Sequence, residues 1–512
     1  MSKLTLIRPP MVHPTSFMSF TKGIPPIGLA YVAGGLEKAG IEYDLIDAIG
    51  EGINSTYTIS DKHLIMRGLT FDEILSRISF DAKYICLSCM FTVEWSLHEL
   101  LIKRIKKEYP ASIIILGGEH ASSWWKQILS KPNFVDYCVI GEGDETFVEL
   151  ISNLEKGNSI KDLPGIALRV NNIPQLNSRR KRTKNVDLLY NSWKKFPLEN
   201  YLNAKTGMNT VHLRAMPIMA SRGCPYQCTF CSSPFMWGTD YFTRSPKSIV
   251  EEMSYLKKKY NVEHFDFTDL SATVNRKWTK ELCERIIEAD LGVSWQFGPG
   301  TRSEAFNEEI LILLKKANLL KLAFAPESGS KETLEKIKKR INLEKLYKTI
   351  KTSVKIGLQT KCQFIMGMPG QSVKEMFDSA IFILKLALIG VDDIAIYLFY
   401  PYPGSEISNN LFKKELDANN IDYTHMVNTR IKNSNLPKEQ RLHHSRVTLF
   451  MFTSGLMSLC YLIAFIRKPY KIYQIIHRTI TSKPRRSTEM LLYMKLRNLF
   501  SANPPNIELD KL

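Results

Sequence analysis

Two series of short apolar runs, separated by longer amphipathic segments, constrain the fold of this 512-residue chain more than any other feature. In residues 1 to about 155 the runs are apolar throughout, which is typical of parallel strands covered by helices on both faces. The alternation therefore predicts an open, doubly wound α/β sheet over residues 1–155. The predicted strands of this sheet are Leu4–Ile7, Tyr43–Ile46, Tyr84–Ser88, Ile113–Leu116 and Tyr137–Ile140.

Glycine and polar residues follow several of these strands, as in Gly117–His120 and Gly141–Asp144. Ligands of doubly wound sheets bind at the carboxyl ends of the strands, so these ends are expected to form a ligand surface. Residues 156–210 are interpreted as a linker, in which Asn171-Asn172 predicts a tight turn between two strands of a hairpin. A basic run in this linker, Arg179–Lys184, is expected to be solvated.

A second alternation, with longer helices, fills residues 211–425. Its six strand–helix units predict a partial (β/α)6 barrel of the TIM type rather than a closed barrel of eight units. Functional residues are then expected at the carboxyl ends of the strands. The predicted strands are 217–220, 264–268, 294–297, 321–325, 362–365 and 394–399, and the predicted helices are 249–259, 277–289, 308–317, 343–356 and 373–388.

Three cysteines, Cys224, Cys228 and Cys231, follow the first strand of this second series with the spacing Cys-x3-Cys-x2-Cys. They are too close to form unstrained disulfides with one another, but three thiolates can hold an iron–sulfur cluster and leave one iron open. A fragment of a zinc site, without a fourth ligand nearby, and cysteines packed as small apolar residues are the alternatives. The other six cysteines mostly lie in apolar runs and are expected in the core, and the N-terminus lacks the apolar core of an export signal, so a reducing cytoplasm is expected.

The cysteine motif, with Phe230 directly before the last cysteine, resembles the cluster motif of the radical SAM enzymes. The resemblance implies a 4Fe–4S cluster held by Cys224, Cys228 and Cys231, whose open iron binds the amino and carboxylate groups of S-adenosylmethionine (SAM). It also implies that SAM is contacted by residues at the strand ends of the barrel, although each of them taken alone could equally cap a helix or line a turn. These residues are Phe230, Asp269, Arg302, Glu327, Ser328 and Gly367.

The N-terminal domain resembles the Rossmann-like, flavodoxin-like cobalamin-binding domain found upstream of many radical SAM barrels, with matching stretches at Gly23–Gly28, Gly117–His120 and Gly141–Thr146. A nucleotide-binding or non-binding module of the same fold is the alternative. The Asp-x-His-x-x-Gly pattern that ligates cobalt in some such domains is absent, because Asp47–Gly52 contains no histidine; His120 is a candidate substitute. The implied cobalamin contacts are Pro26, Gly28, Ser88, Gly117, Gly118, His120, Gly141, Glu142 and Gly143.

Together the two resemblances imply a cobalamin-dependent radical SAM enzyme, with a reductant such as flavodoxin or ferredoxin and a small-molecule substrate. The expected activity is a methyltransferase that moves a methyl group from methylcobalamin, resupplied by SAM, to an unactivated carbon through a 5′-deoxyadenosyl radical. A cobalamin-dependent cyclase or rearrangement enzyme without methyl transfer is the alternative within the family. An iron–sulfur protein that senses or transfers electrons without catalysis is the alternative outside it.

Residues 426–512 are expected to form a mainly helical, apolar and basic region. Val447–Ile466 carries no charge and is long enough to span a bilayer. The alternatives are a peripheral helix that contacts lipid and a helix that is buried against the barrel. Between Arg467 and Arg497 there are nine Lys or Arg and a single acidic residue, Glu489, which contribute to a net charge of +18. No nucleic-acid-binding motif accompanies this charge, so nucleic acid is not an expected partner, and the apolar segment favours a hydrophobic substrate.

Overall fold

A computed structural model describes residues 3–14, 23–59, 64–132, 134–205, 207–208, 212–298, 300–411, 446–467, 469–481 and 505–507. The strands are β1 Leu4–Arg8, β2 Met11–Pro14, β3 Asp44–Asp47, β4 Thr56–Ile59, β5 Leu64–Arg67, β6 Tyr84–Ser88, β7 Ile113–Gly117, β8 Tyr137–Val139, β9 Ile166–Val170, β10 Ile173–Leu176, β11 Ala215–Ile218, β12 Ser221–Arg222, β13 Phe242–Thr243, β14 His264–Phe267, β15 Ser294–Phe297, β16 Leu319–Glu327, β17 Thr360–Met366, β18 Asp393–Leu398 and β19 Asn506–Ile507. The helices are α1 Ile27–Lys38, α2 Ala48–Glu51, α3 Phe71–Leu75, α4 Trp95–Glu108, α5 Glu119–Leu129, α6 Gly143–Lys156, α7 Leu198–Asn203, α8 Ser233–Trp237, α9 Pro246–Tyr260, α10 Arg276–Ala289, α11 Glu308–Lys316, α12 Lys331–Lys336, α13 Leu343–Ile356, α14 Val373–Ile389, α15 Glu406–Leu411, α16 Arg446–Arg467 and α17 Tyr470–Ile480.

The N-terminal sheet has seven strands in the order β10-β9-β8-β7-β6-β1-β3. Five neighbouring strands of this sheet are parallel, namely β3, β1, β6, β7 and β8, which confirms the predicted flavodoxin-like α/β fold. Adjacent residues of β1 pack into different cores, with Leu6 in one buried cluster and Ile7 in the other. Because both faces are covered in this way, the strands read as continuous apolar runs rather than as an alternation.

The Asn171-Asn172 turn forms as predicted, and both residues have positive φ, at 50° and 63°. Asparagine tolerates this left-handed region better than most residues, which suits a two-residue hairpin turn. The turn brings Ile173 opposite Val170, and β9 in turn pairs antiparallel with β8. The hairpin therefore extends the N-terminal sheet.

A small sheet, in the order β19-β4-β5-β2, was not predicted from the sequence. It packs Ile59, Leu64 and Met66 into the core of the N-terminal domain. Its edge strand β19, close to the C-terminus, pairs in parallel with β4. A strand from near the C-terminus thus becomes part of the N-terminal domain.

The second sheet consists of β11, β14, β15, β16, β17 and β18, which are parallel and neighbour one another in chain order. It does not close, since β11 and β18 form its edges, so the predicted partial (β/α)6 barrel is confirmed. Phe265 and Trp295 face the surrounding helices, whereas Asp266 and Gln296 pair in register on the other face and hydrogen-bond to each other at 2.7 Å. The concave face of the barrel is therefore polar.

The long apolar helix α16 packs against α14 and β18, where a sixth barrel helix would lie. It buries one stripe at helical spacing, which includes Leu449, Leu456 and Cys460, and Tyr461 donates a hydrogen bond to Asp393 of β18 at 3.0 Å. In the described part of the chain, Val447–Arg467 alone is long and apolar enough to cross a membrane, and 28% of its most apolar window is buried in the protein. The helix is therefore part of the barrel wall, with one face left open.

Candidate active site

The three cysteines lie in a loop of residues 219–232, the cysteine loop, which leaves the carboxyl end of β11. Asp269, which follows β14, holds the start of this loop. Its carboxylate accepts hydrogen bonds from the backbone N–H of Ala220 at 3.0 Å and from the hydroxyl of Ser221 at 2.7 Å. Burial raises the pKa of Asp269 to about 6, although these donors favour its charged form. Its oxygens are engaged by the loop, so its contacts give it a positioning role, and SAM contact stays a prediction.

The thiols of Cys224, Cys228 and Cys231 are free and partly exposed, whereas the other six cysteines are free and buried, as predicted. Burial raises the pKa of all three thiols, to about 12 for Cys231. The thiols also lie close enough that Cys224 raises the pKa of Cys228, and both raise the pKa of Cys231. In the described residues no three His, Cys, Asp or Glu side chains converge on a single metal ion. The three ligands of a 4Fe–4S cluster bind three different irons and need not converge on one ion, so three thiols in one loop fit a cluster better than a zinc ion.

Two cations border the cysteine loop. Lys339 forms a buried ion pair with Glu327 at 2.8 Å, and its charge lowers the pKa of Cys224 and Cys228 against the effect of burial. The Arg302 guanidinium lies 3.6 Å from the ring centre of Tyr226, inside the loop, and favours the thiolates in the same way. The two cations thus favour the deprotonated sulfurs that metal ligation requires.

Glu327 ends β16 with φ of +63°, in the left-handed region that few non-glycine residues adopt. Strain of this kind costs about 1–3 kcal/mol and is concentrated at functional sites. Neighbouring Ser328 is fully buried, and its hydroxyl lies 2.8 Å from the hydroxyl of Ser379. Gly367 donates its N–H to the side chain of Gln371 at 2.8 Å. The strand ends that were predicted to contact SAM therefore lie beside the cysteine loop, but Ser328 is engaged within the protein.

Phe230 is partly buried and packs against an apolar cluster that includes Met368 and Ile337. The N–H of the preceding residue, Thr229, donates to the carbonyl of Ile337 at 3.1 Å. The loop is thus attached to the far side of the barrel mouth near the Gly367 turn. The structure brings together Phe230, the cysteines and the ends of β14 to β17.

The opposite wall is formed by the carboxyl ends of β6, β7 and β8, and we call Ser88, Gly117, Gly118, Gly141 and Gly143 the glycine edge. Ser88 and Gly117 pair directly in register. A Cβ on Gly117 would meet no atom within 4 Å, and the same holds for Gly28 in the first turn of α1, just after Pro26. Open space beside bare backbone suits a large flat group that must approach closely, so the glycine edge fits a corrin.

Gly118 has φ of +106°, and a Cβ there would lie 2.5 Å from the carbonyl oxygen of Cys89. His120, two residues later, is buried, with its Nδ1 3.1 Å from the hydroxyl of Thr92 and its ring 4.7 Å from that of Trp95. Burial lowers its pKa to about 3, so the imidazole is neutral. These contacts give His120 a packing role, and its part in binding cobalt stays a prediction.

Glu142 lies in an ion-pair cluster that joins the two walls. Arg222, on β12 within the cysteine loop, lies 2.9 Å from Asp144 and 3.4 Å from Glu142, and its guanidinium stacks over Tyr31. Arg182 lies 3.2 Å from the same Glu142. A buried cluster of this kind fixes the distance between the glycine edge and the cysteine loop.

The basic run Arg179–Lys184 was expected to be solvated, and this holds only in part: Arg179, Lys181 and Lys184 are exposed, whereas Arg180 and Arg182 are partly buried. Arg179 donates to the carbonyl of Phe235 at 2.7 Å, and Arg182 donates to the carbonyls of Trp237 and Asp240. The run therefore holds α8 and the residues after it. Its charge is used locally, because Glu142 and Glu149 lie within ion-pair distance.

Sequence reasoning also missed Glu119 and Lys339. Glu119 begins α5 and accepts a hydrogen bond from Ser232, directly after the last cysteine. Burial raises the pKa of Glu119, and its charge in turn raises that of Cys231. The only sequence signal was position, since Glu119 follows the glycine pair of β7. Lys339 was harder to recognise, because nothing in the sequence distinguishes it from the other lysines around it.

Residues 18–151 match the B12 binding domain, and residues 218–383 match the Radical SAM superfamily. The cytidylyl-2-hydroxyethylphosphonate methyltransferase of Streptomyces wedmorensis is 29% identical over 384 residues, which cover 69% of this chain and 71% of that enzyme. The anaerobic magnesium-protoporphyrin IX monomethyl ester cyclase of Rubrivivax gelatinosus is 26% identical over 396 residues, 76% of this chain and 67% of that enzyme.

A solved structure of the cobalamin-dependent S-adenosylmethionine radical enzyme OxsB, with aqua-cobalamin and SAM bound, has a similar fold. The TM-score is 0.65 over 97% of this chain and 71% of that chain, at 15% identity. The two matched families coincide with the domains that carry the glycine edge and the cysteine loop. Both halves of the predicted architecture are therefore confirmed.

Proposed function

Because the chain carries a B12 binding domain followed by a radical SAM domain, and so belongs to the cobalamin-dependent radical SAM enzymes, we propose that it is a methyltransferase acting on an unactivated carbon of a small molecule. In this proposal residues 1–155 bind cobalamin and residues 211–425 bind the cluster and SAM. The observation that carries it is the direct contact between the two walls, in which Ser232 of the cysteine loop donates to Glu119 beside the glycine edge. This contact supports one shared chamber for both cofactors.

The cofactors supply an electron, a 5′-deoxyadenosyl radical and a transferable methyl group when they are bound. The protein supplies their positions. Cys224, Cys228 and Cys231 would hold the cluster as thiolates, and the cations of Lys339 and Arg302 offset the loss of hydration of these charges. Asp269 keeps the loop in place from below through the N–H of Ala220.

In this assignment SAM lies against Phe230, Asp269, Arg302, Glu327, Ser328 and Gly367. Glu327 is the anion suited to the amino group of an amino acid, and Arg302 is a cation suited to a carboxylate. Both side chains are already paired within the protein, Glu327 with Lys339 and Arg302 with Glu304 at 2.9 Å. Binding of an amino acid there therefore requires these pairs to be shared or exchanged.

Cobalamin in this proposal lies on the glycine edge, with Pro26, Gly28, Ser88, Gly117, Gly118, His120, Gly141, Glu142 and Gly143 as its surroundings. The open space beside Gly28 and Gly117 supports this placement. His120 is buried and held by Thr92 and Trp95, so in this proposal it would line the cobalamin site as a packing residue.

A cyclase or rearrangement without methyl transfer is the second candidate, favoured by the similarity to the Rubrivivax gelatinosus cyclase over 76% of this chain. The partners of either activity are a small-molecule, hydrophobic substrate and a reductant such as flavodoxin or ferredoxin, in the cytoplasm. A membrane surface is proposed as a peripheral partner through the C-terminal helices.

The two activities are separated by anaerobic turnover of the reconstituted full-length enzyme with SAM that carries a deuterated methyl group. The substrate source is a metabolite extract of the cells from which the chain derives, and the readout is mass spectrometry. We expect a product in which a CD3 group has replaced one hydrogen, together with 5′-deoxyadenosine. An unlabelled new product, absent with the Cys231→Ala variant, would refute methyl transfer and favour the cyclase.

A further inference from the structure

One side of the barrel carries large apolar side chains that face outward. On α14 these are Val373, Phe377, Ile381 and Leu388, which are each about half exposed and recur at helical spacing on one stripe. A helix facing water normally carries charged or polar residues at such positions. The stripe therefore indicates contact with something other than water.

The neighbouring helix α16 repeats the pattern. Val447, Met451, Leu462 and Ile466 lie on one stripe of its outer face, and Met451 and Ile466 are 69% and 72% exposed. No Asp, Glu, Lys or Arg occurs between Val447 and Ile466. The opposite stripe of α16 is buried against the barrel, so the outer stripe does not contribute to the hydrophobic core.

The two stripes belong to one surface. The rings of Phe377 on α14 and Phe452 on α16 lie 5.9 Å apart, edge to face. Helix α17 contacts α16 and adds Tyr473, Ile476 and Ile480, all more than half exposed. We call this surface, formed by α14, α16 and α17, the apolar face.

The other barrel helices carry charged residues on their outer faces. Lys257–Lys259 lie in the last turn of α9, and Lys280 of α10 forms an ion pair with Glu309 of α11 at 2.6 Å. Single exposed apolar residues occur there, such as Ile287 and Ile312, but they are isolated. Contiguous exposed apolar surface is rare in monomeric soluble proteins and usually marks a binding surface.

We infer that the apolar face rests on the surface of an anionic lipid bilayer, with α16 and α17 lying in the plane of the headgroups. The inference rests on the peripheral membrane contact proposed above, for which it names the lipid and the surface, and it is independent of the proposed chemistry. A spanning position for α16 is disfavoured, because Leu449, Leu456 and Cys460 pack into the protein and Tyr461 is bonded to Asp393. A helix held on one side by a soluble barrel presents only its other side to lipid.

The charge around the apolar face indicates which kind of partner binds there. Among the described residues, Lys374 and Lys385 flank the stripe of α14 and Arg467 ends α16, and all three are exposed. In the sequence, the segment from Arg467 to Arg497 carries nine Lys or Arg against one Glu. A second copy of the chain would bring the same positive rim against this one, which is repulsive. Anionic headgroups complement it, and basic residues beside an apolar helix are typical of interfacial membrane binding.

The test is co-sedimentation of the full-length, anaerobically reconstituted enzyme with vesicles. One set consists of phosphatidylcholine alone and the other of phosphatidylcholine mixed with phosphatidylglycerol. We expect binding to the anionic vesicles only, weakened by added salt. The double variant Ile381→Gln/Leu462→Gln is expected to bind at least about tenfold more weakly, since two buried apolar side chains are lost from the bilayer contact.

The matched control is Ile287→Gln/Ile312→Gln, which makes the same kind of change on exposed positions of α10 and α11. It is expected to bind as the unmodified chain does, and both double variants are expected to retain SAM cleavage, which shows that they fold. Equal binding by the two double variants would overturn the inference. So would a dimer in light scattering that Ile381→Gln/Leu462→Gln abolishes without any vesicle binding, since the occupant would then be a second copy.

Discussion

The two walls of the candidate chamber are built in opposite ways. The barrel wall consists of side chains: three thiols, the Lys339–Glu327 pair and the Arg302–Tyr226 stack. The facing wall is the glycine edge, where space beside the backbone at Gly117 takes the place of side chains. A small charged ligand is held by side-chain groups, whereas a broad flat cofactor needs their absence. A mutation in one wall should therefore impair the cofactor of that wall and spare the cofactor of the other.

Replacing a ligand of the cluster should have the largest effect and should spare the glycine edge. In Cys224→Ala, Cys228→Ala or Cys231→Ala, SAM cleavage is expected to fall below detection, because a cluster needs its thiolate ligands. Bound cobalamin, measured from its absorbance after gel filtration, is expected to stay at the level of the unmodified chain. The matched control is Cys283→Ala, a buried cysteine on α10 outside the loop.

The next prediction removes the charge that supports the barrel wall. Lys339→Met leaves Glu327 buried without its partner, and breaking a buried pair in this way costs about 3–5 kcal/mol. That cost falls on the folded state, so the thermal midpoint should fall by a few degrees. We also expect the rate of 5′-deoxyadenosine formation to fall at least about tenfold, because Cys224 and Cys228 lose a cation that favours their thiolates. Lys339→Arg, which keeps the charge, is expected to restore part of it. A rate unaffected by Lys339→Met would show that the pair has no part in SAM cleavage.

The glycine edge is tested from the other side by Gly118→Val. A side chain there meets the carbonyl of Cys89 and requires φ of +106°, so the turn after β7 must shift. Cobalamin affinity is expected to fall at least about tenfold, since a displaced turn closes the open space of the edge. Iron content is expected to be unaffected. Gly157→Val is the control, because Gly157 also has positive φ but its Cβ would meet nothing within 4 Å.

The smallest effect is expected where the two walls are joined. Arg222→Gln leaves Asp144 buried without its cation, so the thermal midpoint should fall by a few degrees. Cobalamin and iron should both still bind, but each less tightly, because the distance between the walls is no longer fixed. Arg285→Gln, at an exposed pair with Glu281, is the control and should not move the midpoint. Loss of only one cofactor in Arg222→Gln would contradict a role in joining the walls.

Much of the fold followed from local sequence signals. Apolar runs, the Asn171-Asn172 turn and the cysteine spacing each act over a few neighbouring residues, so they are visible without the structure. The partners of Glu142 could not be foreseen, because Arg182 and Arg222 are distant in sequence and meet it only in the folded chain. Lys339 lies only 12 residues after Glu327, but no sequence pattern pairs the two, so this contact was not foreseen either.

Other features could not be foreseen because burial depends on tertiary packing. The sequence does not reveal that the ring of His120 packs against Trp95, and its part in binding cobalt stays a prediction. The small sheet of β2, β4, β5 and β19 escaped prediction because its strands are short and its last strand comes from the far end of the chain. The stripe on α14 was likewise hidden, since which face of a helix is exposed is set by its neighbours.

The central claim is that SAM at the barrel wall gives its methyl group to cobalamin at the glycine edge. The most direct test needs no substrate: the enzyme is reconstituted anaerobically with its cluster and cobalamin, reduced, and given SAM with a deuterated methyl group. Mass spectrometry of the extracted cobalamin is expected to show a CD3 group on it. Formation of 5′-deoxyadenosine with cobalamin that stays unlabelled would contradict the claim.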